Sequence, residues 1–323
     1  MLPSQAQFVC DMFHLGIFLS AQNASGTRNR NYIFSTFSER WFVRQRFAGY
    51  SAPEQMEFDH AALAFLHQHG AAVAKPRQTI IGGTWWEDGN DIWEVFPFIE
   101  GRSLRDGNGE DVIALGEALA RFHSAGKEFS LRYEKISPRG ETAPSFLRER
   151  LIRIEKESPE TASILKTYQK TVEDNAALLT DQIYDDLPHT LIHGDVQPAN
   201  LLLHKSTFAA FVDLDWCAWR ARIYDVSFAI LACCAHHKST FDGSDVWSLT
   251  QTPYFEEDIV EQFLNAYQTH ATPLHAEEKA ALRSQMLLTW CHIRLGGALK
   301  VEPERRLEFL ERAPNLEDSS WLN

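Results

Sequence analysis

Apolar and polar positions along the chain change rhythm several times. The first apolar stretch, Phe8 to Leu19, is interrupted by Asp11 and His14. It is too short to span a bilayer, and no basic region precedes it. It reads as an amphipathic helix lying on a first lobe. Aromatic and β-branched residues then fill Tyr32 to Phe37, and a turn at Ser38-Glu39-Arg40 leads into Trp41 to Phe47, which predicts a β-hairpin. A helix is expected from Ser51, where Ser51 and Glu54 fit a capping box and Pro53 stands in the first turn, to about His69, closed by Gly70. Met56, Asp59, Leu63 and Leu66 share one inward face of it, which makes Asp59 a carboxylate among apolar neighbours. A second hairpin is predicted from Thr79 to Trp86 and Ile92 to Phe98, turning at Asp88-Gly89.

Beyond Pro97 and Gly101 the rhythm becomes helical. Asp111 to Lys127 carries Val112, Leu115, Leu119 and Phe122 on one stripe, and charge-rich helices are expected over 144–157 and 161–180. Short strand-like pieces return at Thr190 to His193, Leu201 to Leu203 and Ala209 to Val212, and the chain is helical again from about Tyr224. The expected class is α+β in two lobes: a small antiparallel-sheet lobe over 1–98 and a larger, mainly helical lobe over 99–323.

The formal net charge of −13 counts against nucleic acid and anionic membranes as partners. It fits solubility first, and also an acceptor bearing positive charge. The five cysteines form no CxxC pair, so a zinc site or a disulfide framework is not expected, and reduced thiols in the cytoplasm are the natural reading.

The chemistry concentrates in His193-Gly194-Asp195-Val196-Gln197-Pro198-Ala199-Asn200, followed by Phe211-Val212-Asp213-Leu214-Asp215. Phosphoryl transfer asks a protein for a carboxylate at the attacking hydroxyl, oxygen ligands for a metal, and cations at the phosphates. Asp195 can be the base. Asn200 and Asp213 can hold magnesium through oxygen.

This stretch, with its flanks LIHGDVQPANLLL and FVDLDW and the Tyr224-Asp225 pair downstream, resembles the catalytic loop of the aminoglycoside phosphotransferase and choline kinase superfamily. There an HGDxxxxN loop replaces the HRDxxxxN loop of protein kinases. The resemblance extends over about residues 30–320. It implies a protein-kinase-like fold, ATP and Mg2+ as cofactors, and a small-molecule hydroxyl as acceptor. It places Arg44, with Arg46 as competitor, where the family has its phosphate-contacting lysine. Asp59, with Glu57 as alternative, stands for the acidic helix residue that pairs with that cation. In WEVFPFIEGRSL the backbone groups of Glu94 and Phe96 would meet the adenine edge. Phe42 shares the face of Arg44 and would cover the adenine. His123, on the helix ending LGEALARFHSAG, is read as structural. No glycine-rich loop is present beyond Gly26, and Asp215 is either a second metal ligand or a salt-bridge partner of Arg220 or Arg222. The acceptor pocket should draw on Trp216, Trp219, Trp247, Trp290, Glu256, Glu257 and Asp258, whose aromatic and acidic character suits an ammonium group. The competing class is a catalytically silent kinase fold that binds a nucleotide or a partner.

Overall fold

The computed structural model describes residues 3–24, 29–46, 51–237, 245–251, 253–312 and 316. The chain opens with α1 (Pro3–Met12) and β1 (Phe18–Ala24), then β2 (Arg30–Thr36), β3 (Arg40–Arg46), α2 (Pro53–Gln68), β4 (Trp86–Asp88) and β5 (Asp91–Pro97). The five strands form one antiparallel sheet in the order β1-β2-β3-β5-β4. Gly26 and Thr27, the candidate position for a phosphate-binding loop, lie outside the described residues.

The two faces of this sheet do different work because strand side chains alternate. On β3, Trp41 and Val43 point outward and join Phe34, Trp93 and Val95 in a small core covered by Val9, Cys10 and Phe13. Phe42, Arg44 and Arg46 point the other way, into the cleft. The helix expected to run through Leu19 stops at Met12. His14 (φ 53°) and Gly16 (φ 89°) take left-handed backbone, which a right-handed helix cannot continue through, and the chain turns back as the edge strand β1.

Two further expectations of this lobe change. Ser51 does not cap α2: Ala52 is the N-cap, makes no side-chain cap bond, and Pro53 is the first helical residue. Residues 79–83 form a tight turn, with Thr79 N–H donating to Gly83 O at 2.7 Å and Gly82 at φ 92°. Only Trp86–Asp88 is therefore left to pair with β5. The inward face of α2 is as read: Met56, Asp59, Leu63 and Leu66 are buried, and Glu57 is exposed.

The second lobe continues with β6 (Arg102–Ser103), α3 (Gly109–Gly126), α4 (Pro144–Glu157), α5 (Ala162–Leu178), α6 (Asp181–Asp186), β7 (His189–Ile192), β8 (Leu201–His204), β9 (Thr207–Phe211), β10 (Ala218–Ala221) and α7 (Ile223–Ala229). After two short strands come α8 (Glu257–His270), α9 (Ala276–Ala298) and α10 (Arg306–Arg312). The chain is thus α+β, with a small sheet lobe and a mainly helical lobe. The lobes share a core, since Phe58, Ala62 and Leu66 of α2 pack with Val112, Leu115 and Leu119 of α3. That continuity fixes the width of the cleft between them. All five cysteines are buried, and none forms a disulfide. Among the described residues no helix is long and apolar enough to cross a membrane.

α3 also lies close against α8. A Cβ at Gly116 would come within 2.6 Å of Phe263 O and 3.0 Å of Tyr267 N. Alanine is the better helix former by about 1 kcal/mol, but here it must force two backbones apart. Gly116→Ala is therefore expected to destabilise the fold by about 1–3 kcal/mol, measured as a shift in the urea midpoint. A neutral or stabilising result would show that the two helices are not held at this spacing.

Candidate active site

The loop between β7 and β8 carries the motif. β10 pairs with β7 in antiparallel register, and the chain entering β10 passes directly over Gly194. A Cβ there would lie 2.3 Å from Trp216 O, and the residue has φ 84°, so only glycine fits. The His193 ring braces the loop from inside. Its Nδ1 accepts from Asp195 N–H (3.2 Å) and its Nε2 donates to Val212 O (3.0 Å). Burial lowers the pKa of His193, in keeping with this neutral tautomer.

A residue read only as part of a Tyr-Asp pair proves to anchor the loop. The fully buried Asp225 accepts from His193 N–H (2.6 Å), Gly194 N–H (2.9 Å) and His123 Nε2 (3.1 Å). Tyr267 O–H lies 2.8 Å from His123 Nδ1 and fixes that ring. His123 is thus structural, through the catalytic loop's backbone.

Asp195 faces the cleft. Its Oδ2 accepts from Asn200 Nδ2 and from Gln197 Nε2, both at 2.8 Å. Burial, reinforced by the nearby charge of Asp213, pushes its carboxyl up to about 7, and the two amide hydrogen bonds oppose that rise. Asn200 spends its amide N–H groups on Asp195, including the carbonyl at 3.0 Å. Its Oδ1 has no hydrogen-bond partner among the described residues. Asp213 sits in left-handed backbone (φ 60°, ψ 59°), which an aspartate tolerates better than most side chains. One oxygen meets Arg44 at 3.1 Å, and Oδ2 is likewise without a partner among the described residues.

Above the loop lies a dense ion cluster. Arg44 forks to Asp215 (2.7 Å), Asp213 (3.1 Å) and Glu94 (3.3 Å). Arg46 reaches Asp59 (3.3 Å), Glu94 (3.4 Å) and Asp215 (3.6 Å). Lys135 of the second lobe closes the set on Asp59 at 2.5 Å and on Asp215 O at 2.8 Å. Burial alone would raise the pKa of Glu94, but Arg46, the His60 hydrogen bond and Arg44 hold it well below the usual range. For Asp59 burial prevails over Lys135 and Arg46, and its pKa is raised.

This corrects the expected pairing of Asp59 with Arg44. Residues 44 and 46 share a strand face, and α2 delivers Asp59 to the deeper of the two. Lys135 was not foreseen, because it stands in an irregular segment with no periodic signal. Asp215 pairs with Arg44, Arg46 and Asn29 (3.0 Å), whereas Arg220 donates to Lys135 O and Arg222 to Glu278.

The expectation for the adenine edge also changes. Phe98 N–H donates to Arg40 O (3.2 Å), which sets the phase of the β3–β5 ladder. In that phase Glu94 and Phe96 turn their backbone groups to β3, and Val95 and Pro97 turn theirs away. Val95 O is taken by Arg77 N–H at 2.7 Å. The Pro97 carbonyl is therefore the outward backbone group at the end of this strand. The side chains of Phe42 and Phe96 line the cleft, and the Glu94 carboxylate belongs to the ion cluster.

A single cavity of about 1480 Å³ runs from these residues past Asp195 to α4 and α9. Of the expected acceptor residues Trp216 and Trp290 line it. Trp219 instead lies under Arg132 and Trp247 under Arg305 and Arg312, and Glu256, Glu257 and Asp258 sit outside the cavity.

A two-lobed fold with two carboxylates and an amide converging in the interlobe cleft fits a small-molecule kinase of the protein-kinase-like type. The sequence profile of the phosphotransferase enzyme family matches residues 21–276, and the chain belongs to that family. It is 24% identical to the homoserine kinase of Nitrobacter winogradskyi, over 95% of this chain and 91% of that protein. Solved structures that share the fold include amicoumacin kinase hAmiN in complex with AMP-PNP, Ca2+ and Ami (TM-score 0.66, 16% identity, 96% and 92% covered). Choline kinase LicA from Streptococcus pneumoniae is another (TM-score 0.60, 16% identity, 96% of each chain).

Asp225→Asn would turn an N–H donor toward backbone donors. It is expected to cost about 3–5 kcal/mol in urea unfolding and to reduce turnover in the folded fraction, because the loop loses its anchor. Wild-type stability in this variant would remove Asp225 from that role.

Proposed function

We propose that this chain transfers the γ-phosphoryl group of ATP to the side-chain hydroxyl of a small amino acid of the homoserine type. The observation that supports catalysis is the grouping of Asp195, Asn200 and Asp213 at one point of the cleft, with Asn200 orienting Asp195 by an amide hydrogen bond. The acceptor class rests on the homoserine kinase relatives, which span almost the whole chain.

In this reading the acceptor hydroxyl lies on Asp195, which takes its proton as the acceptor oxygen bonds to the γ-phosphorus and the bond to the bridging oxygen of ADP breaks. Asn200 Oδ1 and Asp213 would hold Mg2+. Their unpartnered oxygens suit a hard cation that binds through one or two protein groups and phosphate oxygens. Such an ion, when bound, neutralises the charge of the phosphates. Arg44 binds phosphate and Arg46 stays on Asp59, so the deeper arginine is structural. Phe42 and Phe96 enclose the adenine, with the Pro97 carbonyl at its edge. The lobe boundary lies near residue 98, and the protein works in the cytoplasm.

Asp195→Asn is expected to keep the fold and ATP binding and to lower turnover by roughly 10²–10⁴-fold, measured by coupled ADP release with L-homoserine. Undiminished turnover would dismiss Asp195 as the base. ATP binding without turnover in the wild type, across amino alcohols, amino sugars and aminoglycosides, would favour a silent kinase-fold protein instead.

Asp213→Asn is expected to weaken nucleotide binding in the presence of Mg2+ far more than in its absence, as read by calorimetry. Equal affinities under both conditions would exclude Asp213 as a metal ligand.

A further inference from the structure

The far end of the cavity holds charges that the transfer step does not use. Glu141 stands in the turn before α4, Arg150 on α4 and His292 on α9, and the three form a closed set. Arg150 donates to Glu141 Oε1 (2.7 Å), to His292 O (2.9 Å) and to His292 Nδ1 (2.9 Å). His292 Nε2 lies 3.4 Å from Glu141 Oε2. Since Arg150 can only donate, His292 Nδ1 accepts and its Nε2 carries the proton. Burial holds the imidazole neutral, with its pKa lowered to about 4. The three side chains are 13–15% exposed, and that exposure faces the cavity they share with Asp195. The charge of Glu141 acts on Asp195 itself. The Phe146 ring supports the Arg150 guanidinium from 4.6 Å.

The composition of this wall speaks against the acceptors that a purely acidic pocket would take. Arg150, Arg153 and Lys300 face Glu141, Glu149 and Asp245, so the signs balance. A polycation would meet three like charges there. A zwitterion satisfies both signs at once.

From this we infer that Glu141 and Arg150 form the acceptor subsite that reads the α-ammonium and the α-carboxylate of an amino acid, with neutral His292 holding the pair in register. The inference rests on the preceding reading of the acceptor and gives it named specificity residues. Glu141 keeps one oxygen on Arg150 and presents the other to the ammonium. Arg150, steadied by Phe146 and His292, offers the carboxylate its remaining N–H groups.

The test compares three acceptors with the full chain and saturating MgATP: L-homoserine, 4-hydroxybutanoate, which lacks the ammonium, and 3-aminopropan-1-ol, which lacks the carboxylate. The wild type should prefer L-homoserine over both. Glu141→Gln should cut the preference over 4-hydroxybutanoate by roughly 10- to 100-fold and spare the preference over 3-aminopropan-1-ol. Arg150→Gln should do the reverse. In both, the KM for ATP should stay unchanged. Gly296→Ala guards against a folding defect. Its Cβ would lie 2.9 Å from Arg150 Nη1, the mobile end of that side chain, so it displaces the guanidinium while favouring the helix. It should keep or raise Tm and raise the KM for L-homoserine. If L-homoserine is used but each variant lowers all three acceptors alike, or Gly296→Ala leaves its KM unchanged, the subsite is wrong and the acceptor reading stands. If the wild type uses none of the three, the acceptor reading falls, and the subsite with it.

Discussion

The cleft depends on a cluster of seven charges that neither lobe could bury alone. Arg44, Arg46, Asp59 and Glu94 come from the sheet lobe, and Lys135, Asp213 and Asp215 from the helical lobe. An unpaired charge at such depth is costly, and a pair repays that cost only when its hydrogen bonds are complete. Here most of the pairing is made across the cleft, where Lys135 reaches over to Asp59 and Arg44 reaches over to Asp213 and Asp215, although Nε of Arg44 stays buried without a hydrogen bond among the described residues. The shared apolar core of α2 and α3 sets the spacing that makes those reaches possible. Packing thus fixes the width of the cleft, and electrostatics fixes its register.

Some of this was legible in the residues because local chemistry forced it. In the loop from His193 to Asn200 the motif drew attention to Asp195 and Asn200, and the structure gives the neighbouring positions their steric and hydrogen-bonding reasons. Gly194 must pass under Trp216, His193 must brace Val212, and Asn200 must face Asp195. Alternation on β3 correctly put Phe42, Arg44 and Arg46 on one face. What alternation could not settle was which arginine Asp59 would meet. That choice depends on how deeply α2 seats against the sheet, a property of packing and not of any short stretch of chain. Lys135 and Asp225 escaped for a related reason, as their partners lie 76 and 32 residues away.

The acceptor end shows the same limit from the other side. Large aromatic and acidic residues near the C-terminus were natural candidates for a pocket wall, yet most have other work. Trp247 packs on Phe309 beneath two arginines, and Trp219 lies under Arg132. This end of the cavity is lined in part by α4, whose charged face toward the cavity looks in the sequence like any solvated helix face. A helix that is polar on one side gives no hint whether that side meets water or a ligand.

The exchange of lysine for arginine at position 44 has a consequence for how the cleft works. A lysine ammonium is a compact point charge, whereas the planar fork of Arg44 meets three carboxylates at once, at 2.7, 3.1 and 3.3 Å. One of them is Asp213, whose other oxygen stays unpaired. A divalent cation on Asp213 must therefore share that carboxylate with Arg44 or take it over. In the second case the guanidinium is freed for phosphate, while Asp215 and Glu94 still hold its Nη1 side. The cluster carries three cations against four carboxylates, a surplus of one negative charge that would attract an added cation. Burial is the main reason the carboxyl of Asp195 is pushed up to about 7, and the charge of Asp213 beside it adds to that rise. Under the proposed role of Asp213 as a metal ligand, positive charge there would lower that pKa and ready Asp195 to act as the base.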